Sequence, residues 1–452
     1  MEFDLAEAKI SDLKAAACAV IEARRDDLIA LAQDIAVHPE LGFEESRTSA
    51  KVAKGLEALG LSVERGIAVT GVKAIKRFGG IGPAVAVIGE LDSLRVPGHS
   101  LADPDTSAAH ACGHHTQPAQ LLGVAAALTS PDVASHLRGS VAFIATPAEE
   151  FIDLGRRLER QEAGELGFMS GKQEMIRLGT FDDVDMAMMV HTSSDGELGK
   201  FSIGGSSNAH VVHMVKFKGK AAHAGGAPWD GVNALQAANV AMVALNAQRE
   251  TFQNSDTIRV HGIITSAGVS MNSVPAEVVY EGRVRGRNSE IVDATAIKVE
   301  RCFKAGALAL GAEVEITSVP GYMALVNDPM MGDLFAANAD ALSGPGTALH
   351  RQATANRGGS TDLGDLSQIM PVIHPYVTAA TGSAHGVDYL IEDYYSAVVT
   401  SASALAMTVI DLLADGAVNA KAVLKKSKPA MTREQYVSAQ QARMRVTHYK
   451  GR

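Results

Sequence analysis

Residues 110–115 read His-Ala-Cys-Gly-His-His, three imidazoles and a thiol in one short stretch. Imidazole and thiolate are ligands for zinc and its divalent neighbours. A carboxylate pair, Glu149-Glu150, closes the next apolar run. One such carboxylate can complete a ligand set, and the other can take a proton from a water that a cation has acidified. A lone buried Cys or His is ordinarily a packed core residue. Four candidates side by side, flanked by Ala108, Ala109, Leu121 and Leu122, favour a metal site over a solvated surface cluster.

Such residues need elements to bring them together. Ala84 to Asp92 is a mostly apolar run ending in acid, which reads as a buried strand of an α/β sheet. Gly139 to Thr146 repeats the pattern and leads to Glu149-Glu150, and Val184 to Val190 leads to His191. In open α/β sheets functional groups gather beyond the carboxyl ends of strands. Three buried strands thus deliver Asp92, the carboxylate pair and His191 to one edge. Helical spacing predicts one or two helices over 11–37, ended by His38-Pro39, and another from about Glu45 to Leu59. The charged stretch Phe151 to Lys172 reads as a solvated connection.

The chain has 452 residues, too many for one hydrophobic core, so two domains are expected. Its net charge of −10, with no strongly basic block before the C-terminus, argues against nucleic acid as a partner. Three widely separated cysteines, Cys18, Cys112 and Cys302, make no disulfide framework and suit the cytoplasm. The acidic start lacks the pattern of a signal peptide. No uninterrupted apolar run has the length of a membrane span, and Ser396 to Ala414 reads as a buried helix.

From about Ser206 the texture changes. Strand-like and helical segments follow in the order β-α-β-β-α-β, that of a ferredoxin-like α+β domain. The expected division is 206–319 as an inserted domain and 1–205 with 320–452 as the discontinuous metal-binding domain. The resumed part contains the turn-rich loop Arg357 to Asp362, a strand Val372 to Val377, the loop Gly382 to Gly386 with His385, and a closing helix. Residues from about Lys425 onward are basic and read as an exposed appendage.

At this point the sequence resembles the M20 family of aminoacylase- and carboxypeptidase-like metallohydrolases, in its amidohydrolase branch. His38-Pro39-Glu40-Leu41-Gly42, HACGH at 110–114, TPAEE at 146–150, His191, AHAGGAPWDGVNAL at 222–235, Gly359 to Asp362 and His385 occur in the family's order. The resemblance implies a mixed-sheet, zinc-peptidase-like α/β catalytic domain with an inserted ferredoxin-like dimerisation (lid) domain. It implies Cys112, His114, Glu150, His191 and His385 as ligands of one or two Zn²⁺ or Mn²⁺ ions and Glu149 as general base. His223 matches the lid histidine that polarises the scissile carbonyl in a neighbouring subunit's site, which implies a homodimer. Asp92 either orients a ligand histidine or caps the next segment. Asn272 and Ser360 are further candidates for supporting the site or touching substrate. His115 stands where the branch usually has Asp or Asn, and Thr116-Gln117 replaces Gly-His. His115 is therefore an extra ligand, a substrate donor or a packing residue.

The implied activity is hydrolysis of a C–N bond in a small molecule by cation-activated water. One version cleaves an N-acyl or N-aroyl amino acid or a dipeptide. Another is a hydrolytic deaminase that releases ammonia from an aromatic amine such as a nitroanthranilate. A non-catalytic binding protein on the same scaffold, or a metal-free Cys112 nucleophile, are the readings from other classes.

Overall fold

The run AVAVIGE at Ala84–Glu90 forms a strand whose seven residues are all buried in the computed structural model, which describes residues 2–356 and 358–451, with side chains from residue 9 onward. That strand lies inside a six-stranded sheet of order Val63–Ile67, Gly71–Arg77, Ser140–Thr146, Ala84–Glu90, Met186–Met188, Val372–Ile373. The first two strands are antiparallel to their neighbours and the last four run parallel. The protein is α/β with mixed sheets. Ser140–Thr146, Ala84–Glu90 and Met186–Met188 are adjacent, so their carboxyl ends share one edge.

One detail differs from the expectation. His191 does not terminate the third strand. It starts a separate strand, His191–Ser193, in a four-stranded sheet with Ala348–Asn356, Phe201–Ser206 and Tyr376–Thr378. The chain bends between Met188 and His191 because each half pairs with a different partner, Val372–Ile373 or Tyr376–Thr378.

The residues divide into two units: 1–205, 326–355 and 366–433 form the first, and 206–325, 356–365 and 434–452 the second. In the first, the helix Gln117–Thr129 follows the loop that carries Cys112, His114 and His115 and is buried almost throughout. Leu121, Val124 and Leu128 are fully buried, each worth about 1.5–3 kcal/mol in transfer terms. The helical run Tyr395–Leu413 is apolar and long enough to cross a membrane, and 94% of it is buried within the protein. The expected first helix is two, Glu2–Glu22 and Arg25–Ala36.

In the second unit, the strands Ala209–Lys218, Arg259–Ser266, Glu277–Gly286 and Glu313–Pro320 and the helices Ala234–Gln248 and Ser289–Leu310 follow the β-α-β-β-α-β order. The sheet order places Ala209–Lys218 between Glu277–Gly286 and Glu313–Pro320, all antiparallel. The C-terminus is no loose appendage. Arg445–Lys450 pairs antiparallel with Glu313–Pro320 as a fifth strand, and Tyr436 in the helix Arg433–Arg443 is buried, its hydroxyl 2.8 Å from Asp365. An open strand edge and a buried carboxylate are thereby both paired. The expected boundaries, 206–319 against 320–452, therefore shift. Residues 434–452 belong with the inserted unit, as do 356–365. Of the loop Arg357 to Asp362, Arg357 lies outside the described residues.

Candidate metal centre

The turn Cys112-Gly113-His114 depends on Gly113. Its φ is +87°, and a side chain there would place its first carbon 2.0 Å from the Thr192 hydroxyl. Only glycine fits such a left-handed, crowded position. Thr192 Oγ1 in turn lies 2.8 Å from the Tyr389 hydroxyl, which packs beside the Cys112 carbonyl.

Around this turn the ligand atoms of Cys112, His114 and His191 lie within 4.8 Å of one another, as do those of Cys112, Glu150 and His385, and those of His114, Glu149 and Glu150. Cys112 is common to two triads and His114 to two. The Cys112 sulfur is 3.4 Å from His191 Nε2, and Glu150 Oε1 is 3.1 Å from His385 Nε2. His114 is 1% exposed, and its Nε2 has no hydrogen-bond partner, although a Glu90 oxygen lies 3.2 Å away. A buried ring nitrogen aimed at a ring of thiol, imidazole and carboxylate donors fits a divalent cation.

Asp92 lies within hydrogen-bonding distance of His114. Its backbone carbonyl and Oδ1 lie 3.1 and 3.2 Å from His114 Nδ1, which directs Nε2 toward the triads. Its Oδ2 accepts from the Glu150 backbone N–H at 2.8 Å. One carboxylate thus contacts two of the candidate ligand residues. His115 belongs to none of these triads: its Nε2 meets the Tyr394 hydroxyl at 3.1 Å.

Beside the candidate ligands sits a buried ion pair. Glu90 Oε1 accepts from Lys172 Nζ at 2.6 Å, both side chains being fully buried, and Gln117 donates to Glu90 Oε2 at 3.0 Å. Gln117 Oε1 accepts from the Glu90 N–H at 2.9 Å. Phe151 to Lys172 was expected to be a solvated connection. It instead sends Lys172 inward and buries Arg157, which donates to the Glu150 and Met169 carbonyls at 2.5 Å. These charges are tolerated inside because each meets a carboxylate or carbonyl. Glu90 was not singled out in the sequence; its signal is an acid closing an otherwise apolar, fully buried strand, which must be paired. Lys172 carried no local signal.

The side chains at the centre form a charged cluster. Burial raises the Cys112 thiol, but His114 and His191 outweigh it and bring its pKa down to about 5. His114 and His191 are pushed up despite burial, chiefly by Glu90 and Cys112 for the first and by Cys112 for the second. Glu150 lifts His385, about half exposed, to about 11. Glu90 is held below the usual carboxylate range, since Lys172 and His114 overcome its burial. His110, His115 and His374 go the other way, lowered first by burial.

His223, Asn272 and Ser360 lie in the second unit. His223 is exposed, and its Nδ1 accepts from the Gly225 and Gly226 N–H groups at 3.1 and 2.9 Å, so the proton sits on Nε2. The Asn272 carbonyl accepts from the Ala224 N–H at 2.9 Å, tying it to the His223 loop. Ser360 Oγ accepts from Arg285 at 2.9 Å.

This donor set on an α/β sheet edge agrees with the comparisons. The model of peptidase family M20/M25/M40 matches residues 86–410, and the chain belongs to that family. It is 31% identical to the Xaa-Arg dipeptidase of Mus musculus over 429 residues, covering 90% of each chain. It is 33% identical to one of the subunits of the p-aminobenzoyl-glutamate hydrolase of Escherichia coli (strain K12) over 274 residues, 58% of this chain and 51% of that one. A solved dinuclear metal-binding peptidase of the M20 family from Bacillus subtilis superposes with TM-score 0.63 at 22% identity, covering 87% of this chain and 99% of its own. The protein is a metal-dependent hydrolase acting on C–N bonds.

Proposed function

We propose that this hydrolase cleaves the amide bond of an N-acyl or N-aroyl amino acid or of a dipeptide, with Zn²⁺ or Mn²⁺ held by Cys112, His114, Glu150, His191 and His385. The observation that carries the reading is the convergence of those five donors with Glu149 beside them. A divalent cation there supplies Lewis acidity to a water molecule and to the scissile group. Glu149, 7% exposed, takes the water's proton and returns it to the leaving nitrogen. Asp92 keeps His114 and Glu150 in place through both transfers. In the homodimer, His223 Nε2–H, oriented by the Gly225 and Gly226 amides, donates to the carbonyl oxygen in the neighbouring subunit's site as negative charge develops there.

The reading includes a homodimer through the inserted unit, supported by the exposed apolar side chains of Ile263, Val269 and Met271 at 66%, 101% and 93%. A cytoplasmic location is supported by three free cysteines among the described residues.

The names of the relatives support the amide reading: one cleaves Xaa-Arg dipeptides and another p-aminobenzoyl-glutamate. One observation favours a second reading. Gln117, at a position where the branch usually has His, is built into the Glu90–Lys172 pair beside the candidate ligands. A centre altered there suits hydrolytic deamination of an arylamine, in which water oxygen replaces the amine on the ring and ammonia leaves. The test is a panel of dipeptides, N-acyl amino acids, p-aminobenzoyl-glutamate and aminobenzoates given to Mn²⁺- or Zn²⁺-loaded protein. Release of a free amino acid supports the first reading. Ammonia without amino acid overturns it in favour of the second.

A further inference from the structure

On the other face of the metal loop lies a cavity of about 280 Å³ that no proposed metal ligand lines. Its walls include Ala36, Leu101 and Ile391 and the rings of Tyr389 and Tyr394. An apolar cavity of about 150 Å³ takes up benzene, so this one has room for a ring and a substituent.

Three imidazoles line this space; His99 is satisfied by the Tyr389 carbonyl and the Leu101 N–H, whereas His110 and His115 keep unpartnered ring nitrogens. His110 is 5% exposed and neither of its ring nitrogens has a hydrogen-bond partner. His115 is 3% exposed, with Nδ1 unpartnered and Nε2 against the Tyr394 hydroxyl. The two rings are 5.2 Å apart. Buried polar nitrogens are normally satisfied, and each imidazole offers a donor, an acceptor or both. The chamber therefore presents two imidazoles with unpartnered nitrogens on a mainly apolar wall that also carries Gln33, His99 and Glu392, a composition that suits a small-molecule pocket. Among the described residues no Lys or Arg lines it, whereas Glu392 does, which disfavours an anion.

We propose that this cavity binds a small uncharged aromatic molecule bearing a hydroxyl or a primary amide, gripped by His110 and His115 and separate from the metal ligands. The ring fills the apolar chamber, and its polar group both donates to and accepts from the two imidazoles. Tyr389 connects the chamber to the centre, since its hydroxyl holds Thr192 beside the Cys112 carbonyl. An occupant therefore bears on the metal loop from behind and alters metal affinity or turnover.

Phenol and benzamide, with benzene and benzoate as controls, test this on the metal-loaded full-length chain by ligand-observed NMR titration. The expected result is saturable binding of phenol or benzamide with Kd of about 1 mM or tighter, and weaker binding of both controls. Val37 lines the cavity and is 53% exposed, so Val37→Trp can block it without disturbing the core. Val37→Trp should weaken phenol by about tenfold or more. His110→Phe should abolish the preference for phenol over benzene, and Glu149→Gln should leave phenol binding intact. Absence of saturable binding up to about 20 mM, or wild-type binding by both Val37→Trp and His110→Phe, would overturn the proposal. So would phenol binding that Glu149→Gln removes, or a phenol-soaked crystal with only water in the cavity.

Discussion

His114 and His115 are chain neighbours, equally buried, and their surroundings are opposite. His114 faces Cys112, Glu90 and the carboxylates, and its proton affinity is raised well above that of a free imidazole. His115 faces an apolar chamber and Tyr394, and its pKa is brought down to about 3, first by burial and then by His114. The difference comes from what each side of the loop can offer in charge. The front gathers the carboxyl ends of three parallel strands, where Asp92, Glu149 and Glu150 arrive. The back is closed by the last turn of a helix and by residues 389–394, which bring rings, aliphatic groups and one carboxylate, Glu392. A histidine is a candidate ligand only where the chain has already collected negative charge around it.

The largest effect that can break this contrast is at the base. Glu149→Gln should retain metal and lower kcat by about 10²–10⁴-fold, measured on the best substrate of the panel. Turnover within a few-fold of wild type would remove Glu149 from the proton-transfer role. The front also depends on charge beside it. Lys172→Met leaves Glu90 buried without its cation and should destabilise the fold by about 3–5 kcal/mol, read by urea unfolding of the metal-loaded protein. A change of only a few tenths would mean that Gln117 and His114 suffice.

Asp92→Asn is a milder probe of the same side. It keeps the shape and removes the charge that orients His114, so metal affinity should fall by about 10–100-fold, measured by competition with a chromophoric chelator. An unchanged affinity would reduce Asp92 to a cap.

The last effect is read as a pH dependence and concerns Glu45, whose carboxylate accepts from Thr70 Oγ1 at 2.6 Å and from the Ala148 N–H at 2.8 Å. Ala148 has φ of +50°, a left-handed turn just before Glu149. Burial, and then the charge of Asp92, push the Glu45 pKa up to about 8. A raised carboxyl pKa contributes stability fully below the unfolded value of about 4.3. That contribution is lost as pH climbs through about 8. Metal-free wild type should therefore weaken relative to Glu45→Gln between pH of about 5 and about 9, followed by thermal melts. A pH-independent difference would show that Glu45 is ionised throughout.

What could be read in the chain, and what could not, follows the same division. The ligand candidates were legible because Cys, His and paired Glu are rarely placed together for packing, and because apolar runs ending in acid mark strand ends. The inserted β-α-β-β-α-β unit was legible because its alternation is local. The role of Asp92 was half legible: its position was evident, but not that it reaches both His114 and the Glu150 amide. Lys172 was not legible. It lies in a charged stretch that reads as solvated, and only the tertiary approach of Glu90 gives it a reason to be buried. The C-terminal strand was missed for a similar cause. Arg445–Lys450 is short and charged, and pairing with the free edge of Glu313–Pro320 decides its place. The back cavity has no sequence signature, since it is the space between segments far apart in the chain.

The central claim is that the front of the loop grips a divalent cation and the back does not. Metal content of purified His114→Gln and His115→Gln, measured side by side with wild type by inductively coupled plasma mass spectrometry, tests it most directly. The expected result is a folded His114→Gln that has lost its metal and a His115→Gln that keeps the wild-type content. Metal retained in His114→Gln, or lost in His115→Gln, would contradict the account.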